Sequence, residues 1–226
     1  EWAVLLFRAF CYYGLAVPFN VYAIIHAKYS NATFLQAIPI TALIGFLFLQ
    51  ERVTGKKISI IFLAFIGVLL VAVKDINHIS ILGRGEVAGL AAKVSFSLMY
   101  VSRKWHGDYL SNKQITVFIF SFGFIVLFVA SLIFDRSLPL SGWNQLYVLA
   151  LIGAAGLMAI NQLFINYGFQ HVKPFLANNI LALETVIALG IGFFLYKEML
   201  SLPELIGSII ILVSIPLMNK EEEEEK

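Results

Sequence analysis

The chain has 226 residues, of which 60% are hydrophobic and 13% charged, with a net charge of +2 and a mean hydropathy of +0.86. A soluble domain of this length carries about a quarter charged residues, so the composition excludes an ordinary globular domain and points to membrane-spanning helices. The single cysteine, Cys11, excludes an intrachain disulfide, and the small net charge decides little, because the side on which charges lie matters more than their sum.

Charges punctuate eight apolar stretches, near 2–26, 30–50, 57–74, 86–103, 114–134, 144–169, 174–196 and 202–219. Each is read as a transmembrane helix, which makes the fold class all-α, a polytopic helix bundle. The chain begins with Glu1, and its first stretch lacks a basic leader and a small-residue cleavage site, so no signal peptide is expected. Tyr13 and Asn20, seven apart, share a face of this first helix as cavity lining or interhelical glue. Arg8 lies near its end and is expected to snorkel to the interface. His26 is also read as interfacial.

The fourth stretch opens with Gly85-x-x-x-Gly89, a pattern that allows close helix contact and is common in membrane helices. Lys93 follows, seven residues after Glu86 and ten before Arg103, roughly 10 Å or more from either helix end. A lysine that deep costs about 2.5–3.5 kcal/mol on insertion scales, so it should face the bundle interior or a wet cavity. The bland alternative is a structural pair or snorkelling. Ser97 and Tyr100 lie four and seven residues on, along the same face, and extend a candidate cavity wall.

In the sixth stretch Asn161, Gln162 and Asn166 cluster, and Gln162 and Asn166 share a face. The seventh holds Asn178, Asn179 and Glu184. Glu184 stands ten residues after Pro174 and thirteen before Lys197, again near mid-membrane. It is a counter-charge for Lys93, a solute ligand, a protonatable coupling group, or a neutral hydrogen-bonded carboxyl. Ser201-Leu202-Pro203-Glu204 starts the last helix with a capping box. The tail Glu221–Glu225 with Lys226 is read as a solvated acidic run.

A motif occurs twice. Gly45-Phe46-Leu47-Phe48-Leu49-Gln50-Glu51 returns 147 positions on as Gly192-Phe193-Phe194-Leu195-Tyr196-Lys197-Glu198. Tyr22 to Lys28 is echoed by Tyr167 to Lys173, at an offset of 145. Such repeats in an apolar chain mark a membrane carrier built from two related halves. Outside Arg8 and Lys93, nine lysines and arginines fall in loops and tail on the side of Arg8 and five on the other. That bias makes the Arg8 side and the C-terminus cytoplasmic. Glu51 then faces the cytoplasm and Glu198 the outside, so the two copies are inverted.

Pro39 before Phe48-Leu49-Gln50-Glu51, followed by Gly67-Val68, resembles the first-half signature of the drug/metabolite transporter superfamily, in particular its EamA-type carriers. Leu183-Glu184-Thr185-Val186 through Tyr196-Lys197-Glu198, then Gly207, resembles the second-half signature. Thr185 stands where that family often has Pro. The resemblance implies ten helices in two inverted five-helix repeats with a solute path between them. The chain divides accordingly into 1–75, holding the last three helices of the first repeat, 83–219, the whole second repeat, and the tail 220–226. Two helices preceding Glu1 are then lacking, and the cavity should be open laterally between 2–26 and 174–196.

No His-Glu-x-x-His, Walker loop, Gly-x-Ser-x-Gly or cysteine pair occurs, so no cofactor, metal or catalytic residue is expected. The leading reading is a secondary transporter of a small organic metabolite in a bacterial inner membrane, acting by alternating access. The candidate solute ligands are Lys93, Glu184, Tyr100, Ser97, Asn161, Asn166, Asn179, Tyr13 and Asn20. One lysine and one glutamate at mid-depth suit a zwitterion such as an amino acid. The partners are a small solute and the lipid bilayer, with no nucleic acid; a coupling proton and a homodimer stay open. Two alternatives stand beside it: a non-transporting remnant of such a carrier, and an intramembrane enzyme using Lys93 or Glu184 as acid or base.

Overall fold

The helix ends are written in local chemistry. The computed structural model describes residues 1–27, 35, 38–49, 53–72, 83–107, 109–133, 143–197 and 199–224. The first span is α1 (Trp2–Ala9), a π-helical segment (Phe10–Ala16) and α2 (Val17–His26). Then come α3 (Ile40–Leu49), α4 (Gly55–Ala72), α5 (Arg84–Val101), a 3₁₀ turn (Ser102–Trp105), α6 (Asn112–Ile133) and α7 (Gln145–His171). The chain closes with α8 (Pro174–Leu181), α9 (Leu183–Tyr196) and α10 (Leu202–Glu223). No strand occurs among the described residues.

Asn144 caps α7 by accepting from the Tyr147 backbone N–H at 2.8 Å. Ser201 and Glu204 form the expected capping box on α10: the Glu204 carboxylate accepts from the Ser201 N–H at 2.7 Å, and the Ser201 hydroxyl accepts from the Glu204 N–H at 3.4 Å. Lys197, in the left-handed conformation at φ 58°, terminates α9.

A described helix lies in each of the eight expected stretches, α3 covering only 40–49 of the expected 30–50. Five spans are long and apolar enough to cross a membrane: 2–26, 112–133, 145–171, 174–195 and 202–223. Glu51 and Glu198, the landmarks that close the two repeat motifs, lie outside the described residues.

Two spans are irregular. The π segment widens the first one around Cys11, Tyr12 and Tyr13. Pro18, two residues past its end, cannot donate to the carbonyl of Gly14, which is where such a bulge is tolerated. The seventh span breaks at Ala182, between α8 and α9, without a proline. There the Thr185 N–H reaches only to the Ala182 carbonyl, at 3.1 Å.

Close backbone approach holds the bundle together. The most extensive interface is α4 against α10, where Gly67 and Gly207 meet. The second is α2 against α5. Gly85 lies against the backbone of His26 and Ala27, and Gly89 against Ala23 and Leu35, so the small-residue pattern of the sequence does serve a helix contact. By contrast, α7 and the α8–α9 span are exposed along most of their length.

The acidic tail departs from its expected solvated state. Helix α10 continues through Glu223, and Glu221 and Glu222 are buried. Glu221 accepts from the Thr54 hydroxyl at 2.9 Å and pairs with Lys56 at 3.3 Å. The reason is geometric: the partner helix α4 begins at Gly55 with Lys56 and Lys57, so the end of α10 meets that basic turn.

Candidate functional site

Lys93 sits midway along α5, roughly 12–14 Å from each end. Glu184 sits in the first turn of α9, just past the break at Ala182. Their charges attract each other, and no hydrogen bond or ion pair joins them among the described residues. The field of Glu184 also reaches the Tyr100 hydroxyl. Three groups from two elements, α5 and α9, therefore share one electrostatic neighbourhood. Lys93 is partly buried and Glu184 exposed.

An aromatic row flanks this neighbourhood. Tyr13 meets Tyr12 edge-on at 4.6 Å, Tyr12 meets Phe96 at 5.6 Å, and Phe96 stacks on Tyr100 at 6.2 Å. Tyr100 in turn stacks on Phe169 of α7 at 5.3 Å. The row spans three elements and gives an apolar aromatic wall with hydroxyls at Tyr12, Tyr13 and Tyr100.

The other sequence-derived candidates are deployed elsewhere. Ser97 is fully buried and shares a hydrogen bond of 2.9 Å with Thr41, which locks α5 to α3. Tyr13 packs its ring on Gly123 of α6 and beside Phe120. Asn20 is partly exposed and forms no hydrogen bond among the described residues. Asn161 is exposed on α7. Asn179 is buried and donates to the Ser214 carbonyl of α10 at 3.3 Å, with its Oδ1 unpartnered among the described residues.

Asn166 belongs to a second polar centre built around Arg8. Instead of snorkelling, Arg8 is fully buried. It donates from Nε to the Met99 carbonyl at 3.1 Å and from Nη2 to Asn166 Oδ1 at 2.5 Å. Asn166 Nδ2 donates to the Thr116 hydroxyl at 2.9 Å, and that hydroxyl donates to the Asn112 carbonyl at 2.8 Å. Asn112 Oδ1 accepts from Arg103 Nε and Nη2 at 3.0 and 2.8 Å. Asn112 Nδ2 reaches Gln170 at 2.7 Å. The network ties α1, α6, α7 and the 3₁₀ turn together at one end of the bundle.

Below that end, His106 Nδ1 donates to Glu1 at 2.7 Å, and the Gly107 N–H donates to the same carboxylate at 2.8 Å. His106 is held below its ordinary value, first by burial, with Arg8 and Arg103 adding to it; the hydrogen bond to Glu1 opposes them. Glu1 is also lowered, first by that hydrogen bond. The contact is thus a neutral imidazole donating to a carboxylate.

The first span and the α8–α9 span share no extensive interface among the described residues. Sequence reasoning missed Arg8, Tyr12, Phe96 and Phe169. Phe96 carried a signal, lying between Lys93 and Tyr100 on one face; Phe169 carried none.

These features define a polytopic helical membrane protein. The chain belongs to the EamA-like transporter family, which residues 83–220 match. It is 27% identical over 178 residues to an "Uncharacterized transporter" of Archaeoglobus fulgidus, covering 79% of this chain and 60% of the relative. It therefore spans about 60% of that relative's length. A solved structure described as "Crystal structure of protein" superposes with a TM-score of 0.80 at 14% identity, over 100% of this chain and 79% of that one. At that identity the likeness shows the fold.

Proposed function

We propose that the protein is a secondary carrier of a small organic metabolite that bears an ammonium and a carboxylate, such as an amino acid. The observation that carries this reading is the placement of Lys93 midway along α5 and of Glu184 at the start of α9, with no ion pair joining them among the described residues. Two opposite charges left apart cost desolvation energy that a direct pair would partly recover. A zwitterion satisfies both: its carboxylate faces Lys93 and its ammonium faces Glu184. Tyr100 and the stacked Phe96 and Phe169 supply an apolar wall for the rest of the solute.

In this reading 1–75 and 83–219 are inverted repeats that rock about the site, with 220–226 a cytoplasmic tail. The meeting of α4 with α10, each the last helix of its repeat, supports the division. The Arg8 side and the C-terminus are cytoplasmic, in a bacterial inner membrane, and Glu184 is the group through which a proton would couple. Radiolabelled amino-acid flux into proteoliposomes tests the reading. Uptake that needs both Lys93 and Glu184 supports it; no flux for any zwitterion, or product formation in detergent, overturns it.

A further inference from the structure

Among the described residues, no anion neutralises the positive charge of Arg8. Its side chain is fully buried, and its partners are all neutral: the Met99 carbonyl, Asn166 Oδ1, and the Met99 sulfur at 3.7 Å from Nη2. Nη1 has no partner among the described residues. Burial disfavours its charge first, and the neighbouring Arg103 repels it as well. Gln162, also buried, points Nε2 at the same Met99 sulfur, again at 3.7 Å. Donors from α1 and α7 thus converge on a thioether, a weak acceptor.

A buried guanidinium is ordinarily matched by a carboxylate, whose two oxygens fit its planar fork. Leaving such a charge with neutral partners is costly. Methionine is flexible and readily repacks. We propose that Met99 plugs a carboxylate subsite formed by Arg8 Nη1 and Nη2 with Gln162 Nε2, and that a small carboxylate displaces the thioether to occupy it. Three N–H donors suit two carboxylate oxygens. A phosphate would set extra oxygens against Met99 and the acceptor Oδ1 of Asn166. The proposal takes its solute from the carrier reading, but its binding does not depend on Lys93 or Glu184.

The test is thermal unfolding of the full chain in detergent against acetate, with chloride and phosphate at matched ionic strength. Acetate should raise Tm saturably, and the others should not. In Met99→Ala the half-saturating acetate concentration should fall, because the plug is gone. In Gln162→Leu, which leaves the contacts of Arg8 to Asn166 intact, it should rise about tenfold or more, the loss of one charge-assisted contact. Arg8→Lys keeps the charge but loses the fork, and should weaken acetate likewise. No acetate shift in the wild type, an equal shift with chloride or phosphate, or an acetate response unchanged in Gln162→Leu and Met99→Ala overturns the proposal. Acetate binding in a protein without flux sinks the carrier reading alone; flux without acetate binding sinks this subsite alone.

Discussion

Gly67 and Gly207 press backbone to backbone. A Cβ built on Gly67 would stand 2.9 Å from the Gly207 carbonyl oxygen, and one on Gly207 would stand 2.5 Å from the Gly67 carbonyl oxygen. Backbone cannot swing aside as a side chain can, so the contact sets how closely α4 and α10 approach. Gly207→Val should cost about 1–3 kcal/mol by overpacking, and Gly67→Ala should also destabilise. Thermal unfolding in detergent reads the effect. An unchanged Tm in Gly207→Val would show that the crossing is looser than described.

Lys93→Ala should bring zwitterion flux down to the level of empty liposomes while protein still inserts and elutes as a folded species. Glu184→Gln should do the same at every pH. Transport within twofold of wild type in either variant counts against a zwitterion between them.

Thr185→Pro should be tolerated, at a cost below about 1 kcal/mol, against about 3 kcal/mol for proline inside a helix. Thr185 lies in the first turn of α9, where N–H groups lack intrahelical partners, and it would lose only the bond to Ala182 at 3.1 Å. A loss as large as that of Ile209→Pro in mid-α10 would mean the span is continuous.

Acid should destabilise the folded chain at His106 and Glu1, in two steps of the same sign. His106 is held below its ordinary value of 6.5, so the unfolded chain binds its proton more readily. That contribution is complete above 6.5 and is lost as pH falls from there. Glu1 is held below 4.5, so its contribution is complete above 4.5 and is lost as pH falls through the lowered value. Tm of wild type minus that of His106→Gln should therefore shrink between pH 8 and pH 4. A difference that grows on acidification would mean a charged imidazole in the contact.

The eight spans were legible because charged residues interrupt apolar runs, and the membrane penalises them strongly enough to fix helix ends. The outer ends were less so: α10 runs to Glu223 rather than 219, because Lys56 on another helix decides the fate of Glu221. Lys93, Glu184 and Tyr100 could be singled out because their depth is a matter of counting along helices. Tyr13 and Asn20 could not be paired by counting seven, because the π segment over 10–16 changes the rotation between them. Arg8 illustrates a deeper limit. A snorkelling arginine and a buried one read alike in sequence, and what separates them here is Asn166, 158 residues away.

The turn at Ala182 has one more consequence. Ala182 keeps right-handed helical backbone, so α8 runs on into the first turn of α9, with one turn tightened as the Thr185 N–H reaches back three residues to the Ala182 carbonyl. Glu184 stands in that first turn. A tightened turn changes the rotation of every later side chain, so the facing of Glu184 is set at Ala182 and not by counting along an unbroken helix.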